Sequence, residues 1–178
     1  MSHLIVIGGT KGLGRAFVES LGNEYDSVTV LARSIPEPAD RKGIRFIAAN
    51  AGDRDLLHAG LEQAFDEGGA LSAMALFQQF RGNTSPWESK LATTLTASKL
   101  ALDFFAQHAV SDGDKAAVLL TSNASRFACD EQDAGYHAAK TGLLGLCRHY
   151  ASTLGHLGIR VNCVSPGTVL KDESKHHY

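Results

Sequence analysis

Short apolar runs alternate along the chain with longer segments whose apolar residues recur at helical spacing, and this alternation predicts an α/β protein. His3–Ile7 is a continuous apolar run closed by glycines, which suits a strand covered on both faces. Leu13, Phe17 and Leu21 then follow one helical turn apart, so Leu13–Leu21 is predicted as a helix, ended by Gly22-Asn23. Further strands are predicted at Ser27–Leu31, Ile44–Ala48, Ser72–Phe77, Val118–Thr121 and Ile159–Val164. Helices are predicted over Asp53–Phe65 (apolar side Leu56, Leu57, Leu61 and Phe65), from Pro86 to about His108, and from Ala134 to about Leu157. The two prolines of Ile35-Pro36-Glu37-Pro38 make that stretch a loop. About six strands separated by helices predict a three-layer α/β/α doubly wound parallel sheet, with ligands beyond the carboxyl ends of its strands.

A chain of 178 residues is expected to form one domain, 1–178, large enough to bury a core without disulfides or a structural metal. With 17 Lys+Arg against 19 Asp+Glu, no nucleic-acid partner is expected. No stretch approaches the ~18 apolar residues of a membrane helix, and Met1-Ser2-His3 lacks the basic start of a signal peptide. Cys129, Cys147 and Cys163 form no CxxC pair and read as free thiols of a cytoplasmic protein. No metal site is expected.

Glycine is in excess, and part of the excess is placed where chemistry needs it. The first strand runs through Gly8-Gly9-Thr10-Lys11-Gly12-Leu13-Gly14 straight into a helix. Gly8 allows a tight turn, Gly12 lets backbone approach a pyrophosphate, and Gly14 permits close helix–strand packing. The helix N-terminus adds free N–H groups for phosphates. At the end of the second strand, where a carboxylate would bind the ribose hydroxyls of NAD, stand Ala32, Arg33 and Ser34. Arg33 and Lys11 suit a 2′-phosphate instead, so NADP(H) is expected over NAD(H). Tyr136 and Lys140 sit at i, i+4 on a predicted helix, which puts phenol and ammonium on one face. The cation favours tyrosinate, and such a tyrosine can exchange a proton with a carbonyl or alcohol while hydride moves to or from a nicotinamide.

The glycine loop, Tyr136-x3-Lys140, and then Gly158-Ile159-Arg160-Val161-Asn162-Cys163-Val164-Ser165-Pro166-Gly167, in that order, resemble the short-chain dehydrogenase/reductase family. The resemblance implies a Rossmann-type sheet of order 3-2-1-4-5-6, Tyr136 as general acid/base, and Lys140 binding the nicotinamide ribose. It further implies that Pro166, Gly167 and Val169 line the nicotinamide pocket and that Asn50-Ala51 packs near adenine. A homo-oligomer through the helices starting near Pro86 and Ala134 is also implied.

Several positions depart from the family pattern. Gln78-Gln79-Phe80-Arg81-Gly82 stands where the family has Asn-Asn-Ala-Gly; Gln78 keeps an amide near the cofactor. Thr94 holds the position of a water-relaying Asn. The catalytic serine position is held by Asn123, with Ser122 one residue before and Ser125 two after; Ser122 or Asn123 polarises the carbonyl, or all three merely cap the loop. The chain stops at Tyr178, so the substrate-covering segment and seventh strand are expected to be absent and the site open. Lys171 replaces a frequent cofactor-contacting Thr, and His176-His177 reads as polar tail. The expected activity is NADP(H)-dependent oxidoreduction of a small-molecule carbonyl or secondary alcohol. The alternatives are an NADP(H)-binding sensor or partner subunit without turnover, and a chain whose missing segment comes from another subunit.

Overall fold

His3–Ile7 (β1) is buried at every position, as its uninterrupted apolar run requires, and it forms the centre of the sheet. The computed structural model describes residues 2–36, 43–80 and 86–169. β1 pairs in parallel with β2 (Ser27–Ala32), which pairs with β3 (Ile44–Ala48). On its other side lies β4 (Ala73–Leu76), followed by β5 (Lys115–Leu120) and β6 (Ile159–Val164). The order β3-β2-β1-β4-β5-β6 is the expected one. Ile7 stands level with Leu31 on one side and Leu76 on the other, so the loops leaving β1, β2 and β4 emerge side by side. That is where the winding direction reverses and a crevice forms.

The helices are α1 (Gly12–Leu21), α2 (Arg54–Gly68), α3 (Trp87–Leu91), α4 (Ala97–His108) and α5 (Ala134–Leu154). Alternation along β1 divides them between the two faces. Ile5 and Ile7 pack with Leu57 and Leu61 of α2, Phe105 of α4 and Leu143 of α5. Leu4 and Val6 pack with Val18 of α1 on the opposite face. Each such side chain contributes roughly 1.5–3 kcal/mol on burial, so the two clusters fix which helix covers which face.

Boundaries differ from the sequence expectation in physically readable ways. In α1 the buried positions are Gly14 and Val18, and Leu21 is exposed, because the true stripe lies one residue round from Leu13, Phe17 and Leu21. The same offset leaves Leu56 at 54% exposure while Leu57 and Leu61 are buried. α2 starts after its N-cap Asp53, which accepts from the amides of Asp55 and Leu56, and continues to Gly68. β5 begins three residues earlier than expected, at Lys115. The helix predicted from Pro86 is interrupted by a π-turn at Ala92–Thr96. α5 ends at Leu154, and Gly155–Leu157 tightens into a 3₁₀ turn. All three cysteines are free and half-buried. Among the described residues no helix is long and apolar enough to cross a membrane, and no cluster of His, Cys, Asp and Glu could hold a metal. Glu37, Pro38, Arg81, Gly82, Lys171 and His176-His177 lie outside the described residues.

Candidate active site

After Ile7 the chain turns at Gly8, whose φ of +88° places it in the region that favours glycine. A Cβ there would also stand 2.9 Å from the backbone nitrogen of Gln78. Gly14, in the first turn of α1, is pressed onto the same loop, since a Cβ would lie 2.2 Å from the Gly8 oxygen. The loop therefore wraps closely round the start of α1 and leaves the helix amides facing outward.

Over this loop opens a cleft of about 610 Å³. Gly8, Thr10, Lys11, Leu13 and Gly14 form one wall, and Arg33 and Ser34 from the end of β2 form the next. Asn50, Ala51 and Gly52 enter after β3, and Phe77, Gln78, Gln79 and Phe80 after β4. Asn50 fixes its own turn by accepting the Gly52 amide at 3.1 Å. Gly12, the first residue of α1, has a φ of +53° and does not itself line the cleft. Lys11 and Arg33 are both exposed and both line the cleft.

Gln78 tests whether a polar ligand fits here. Its amide nitrogen donates to Ser98 Oγ at 2.9 Å, while its buried Oε1 has no hydrogen-bond partner among the described residues. An orphaned buried acceptor costs about 1–3 kcal/mol, and a hydroxyl or amide donor in the cleft would remove that cost. Cradle, two cleft-lining cations and orphaned acceptor together fit a dinucleotide.

Asp133 caps the start of α5 by accepting the Tyr136 amide at 2.9 Å, and it pairs with Lys90 at the end of α3. The hydrogen bond from Lys90, then that from Tyr136, holds the Asp133 carboxyl below the usual carboxylate range. One turn beyond Tyr136, Lys140 is only 3% exposed. Its Nζ donates to the Leu120 carbonyl at 2.8 Å and lies 5.7 Å from the centroid of the Tyr136 ring. Burial lowers its pKa from 10.5 to about 8, opposed by the nearby Cys163. Leu120 lines the cleft, so Lys140 is tied to a residue of its wall, whereas Tyr136, Lys140, Ser122 and Asn123 do not themselves line it.

The segment after β5 shows how the serine question is arranged. Ser122 Oγ accepts the Ala124 amide at 3.2 Å and bonds Asn123 Oδ1 at 3.3 Å, capping the turn Asn123–Ser125. Ser125 is buried and donates to the Ser122 carbonyl at 2.6 Å. Asn123 is exposed, and its main-chain N–H donates to the Pro166 carbonyl at 3.0 Å, which draws the segment after β6 beside this turn. Pro166, Gly167 and Val169 do not line the cleft itself.

Thr93 lines the cleft, whereas Thr94 is 3% exposed and does not. The π-turn at Ala92–Thr96 carries one extra residue per turn, which shifts the register that a regular helix count assumes. Sequence reasoning also missed His137, whose two ring nitrogens meet carbonyls of the loop before α5. No local pattern marks such a residue, because its partners are main-chain atoms brought in by the loop.

A sheet reversing beside a glycine loop, with a cleft over that reversal, defines a doubly wound α/β protein of the dinucleotide-binding kind. More particularly, the chain belongs to the short chain dehydrogenase family, whose model matches residues 2–177. It is 26% identical over 188 aligned positions to glucose 1-dehydrogenase 2 of Bacillus subtilis, covering 96% of this chain and 72% of that protein. It is 30% identical over 186 positions to (+)-borneol dehydrogenase 1 of Salvia officinalis, covering 93% and 69%. A short-chain dehydrogenase/reductase from Serratia marcescens shares the fold with a TM-score of 0.83 at 23% identity, over 97% of this chain and 76% of that one. The family is one of oxidoreductases that use nicotinamide cofactors.

Proposed function

We propose that this protein is an NADP(H)-dependent oxidoreductase acting on a carbonyl or secondary alcohol, with Tyr136 as its general acid/base. The observation that carries the reading is the Tyr136–Lys140 pair, one helical turn apart, with the buried ammonium anchored on Leu120 at the wall of the cleft. When bound, the nicotinamide supplies or accepts the hydride. Gly8, Thr10, Gly12, Leu13 and Gly14 would hold the pyrophosphate, and Gln78 would take a hydroxyl or amide hydrogen. Asn50 and Ala51 would flank the adenine, and Pro166, Gly167 and Val169 the nicotinamide end. Tyr136 gives its phenolic proton to the carbonyl oxygen in reduction and removes the hydroxyl proton in oxidation. Lys140 holds a positive charge beside that phenol, and Ser122 or Asn123 orients the substrate oxygen. Thr94, read from the sequence as the water-relay position, is buried in the π-turn, and the hydroxyl that lines the cleft is that of Thr93.

Lys11 and Arg33 support the choice of NADP(H). Both cations line the cleft, one from the glycine loop and one from the end of β2, and an Arg fork with a Lys point charge suits a 2′-phosphate dianion. Titration with NADPH and NADH, read by the fluorescence of Trp87, tests this. NADPH is expected to bind on the order of tenfold or more tightly, and equal affinities would refute the assignment. A panel of aldehydes, ketones and secondary alcohols then tests turnover. Tyr136→Phe is expected to lose about 10²–10⁴-fold in rate while keeping NADPH affinity. Activity that survives the substitution would remove Tyr136 from the chemistry.

A further inference from the structure

His137 follows the reacting tyrosine on α5, and its ring is held between two main-chain carbonyls. Nδ1 lies 2.8 Å from the oxygen of Ala124, in the turn after β5. Nε2 lies 3.2 Å from the oxygen of Cys129, in the far arm of the same loop. A carbonyl accepts hydrogen bonds and never donates them, so both contacts are hydrogen bonds only when both ring nitrogens carry a proton. The neutral ring has one N–H, and its bare nitrogen would face the second carbonyl lone pair to lone pair.

We propose that His137 is a positioning residue whose imidazolium form clamps both arms of the loop 123–133 onto α5, fixing the Ser122–Asn123 turn relative to Tyr136. The inference rests on the reading of Tyr136 as the reacting group. Its geometry is reinforced along the same strip of helix. Lys140 donates to Leu120, Thr121 to the Lys140 carbonyl at 2.7 Å, and Thr141 to the Ser125 carbonyl at 3.2 Å. Of these ties from α5, His137 alone reaches the distal arm at Cys129 among the hydrogen bonds of the described residues, and its strength changes when the ring releases a proton. Loss of a proton frees one arm, so the loop is tight on the acid side of the titration and loosens on the alkaline side.

The titratable groups on the elements packed against the ring are few. The loop carries Arg126, Cys129, Asp130, Glu131 and Asp133; the Cys129 thiol donates to Glu131 at 3.9 Å, and Asp133 is paired with Lys90 of α3. On α5 stand Tyr136, edge-on with ring centroids 6.5 Å apart, and Lys140, committed to Leu120. None of these occupies the Ala124 or Cys129 carbonyl as a side-chain donor in the described structure.

The test uses the full chain labelled with ¹⁵N-histidine and needs neither substrate nor cofactor. At the acid end, long-range ¹H–¹⁵N spectra are expected to show both His137 nitrogens protonated, and one bare nitrogen as pH rises. Across the same titration, hydrogen-exchange protection factors of the Ser125, Arg126, Phe127 and Gln132 amides should fall on the order of tenfold or more, while Val6 in β1 stays constant. His137→Gln, whose side-chain amide releases no proton over this range, should remove the step. Protection that is flat with pH, a step that does not track the His137 ring, or a step that persists in His137→Gln would overturn the proposal. Where the variant does not fold, the coincidence of the two titrations in the wild type decides. A failure of Tyr136 chemistry is read separately, in turnover by Tyr136→Phe.

Discussion

The ammonium of Lys140 donates to the main-chain carbonyl of Leu120 at 2.8 Å, and the Lys140 carbonyl in turn accepts from Thr121 Oγ1. This reciprocal pair fastens the second turn of α5 to the end of β5. Tyr136 lies one turn earlier on the same helix, so the backbone that carries it is tied to the sheet, the rigidity that its proposed role requires. A side chain usually assigned to a cofactor thus also carries a structural load.

That load has a pH dependence. Lys140 titrates at about 8 in the folded protein, against 10.5 for a free lysine. Below about 8 both folded and unfolded chains hold the proton, and the cost of burying the charge is fully present. Between the two values the unfolded chain keeps a proton that the folded one has released, so stability rises with pH. Relative to Lys140→Met, the wild type is expected to gain about 3 kcal/mol across that window, since each tenfold loss of proton affinity on folding is worth about 1.36 kcal/mol. Urea unfolding of both proteins from about pH 7 to about pH 10.5 measures the difference. A constant difference would show that the folded-state ammonium is not desolvated.

Two glycine substitutions in helices should have opposite signs. In α1, an alanine at Gly14 would place Cβ 2.2 Å from the Gly8 oxygen, a backbone atom that cannot move without opening the loop. The helix-propensity gain of about 1 kcal/mol is then outweighed by overpacking of roughly 1–3 kcal/mol. In α5, a Cβ at Gly145 meets nothing within 4 Å, so the propensity gain stands alone. Gly145→Ala should stabilise by about 0.4–1 kcal/mol, while Gly14→Ala destabilises and loses the thermal shift induced by NADPH. Equal melting shifts in the two variants would contradict the close loop–helix contact.

The sheet order and part of the cleft's lining were legible in the sequence because they depend on local patterns. A run buried on both faces reads as His3–Ile7 whatever surrounds it, and the glycine loop announces itself by position after that strand. Lys11, Arg33, Asn50 and Gln78 were reachable by counting from strand ends, and they line one cleft. What failed was counting along helices. The π-turn at Ala92–Thr96 turns Thr93 rather than Thr94 to the cleft, and nothing in Ala-Thr-Thr-Leu-Thr marks an extra residue in the turn. Leu56 was misplaced for a related reason, since a one-residue error in helical phase is about 100° of rotation. The Ser122–Asn123 ambiguity lies in a loop whose hydrogen bonds run to main-chain atoms, and residue types do not encode those partners.

His3 offers a contrast to His137 that yields the last expectation. Its ring is 1% exposed, with Nδ1 3.0 Å from the Gly69 carbonyl and Nε2 2.9 Å from Thr29 Oγ1. Here one partner accepts and the other is a hydroxyl able to donate, so the neutral ring satisfies both contacts. Burial lowers the His3 pKa below its ordinary 6.5, with Arg45 adding to the effect and the Gly69 carbonyl opposing it. Between the folded value and 6.5 the unfolded chain binds a proton that the folded one does not. The stability that His3 contributes is therefore complete above 6.5 and falls away as the pH drops through that value toward the folded one. His3→Gln keeps a donor for Gly69 and an acceptor for Thr29 but has no proton to take up. Thermal unfolding of the two proteins below neutral pH should show a steeper acid loss in the wild type, with the curves converging in slope above 6.5. Parallel curves through the whole acid range would mean that His3 is not held neutral in the fold, and Thr29 Oγ1 would then accept from the second ring N–H rather than donate to the ring.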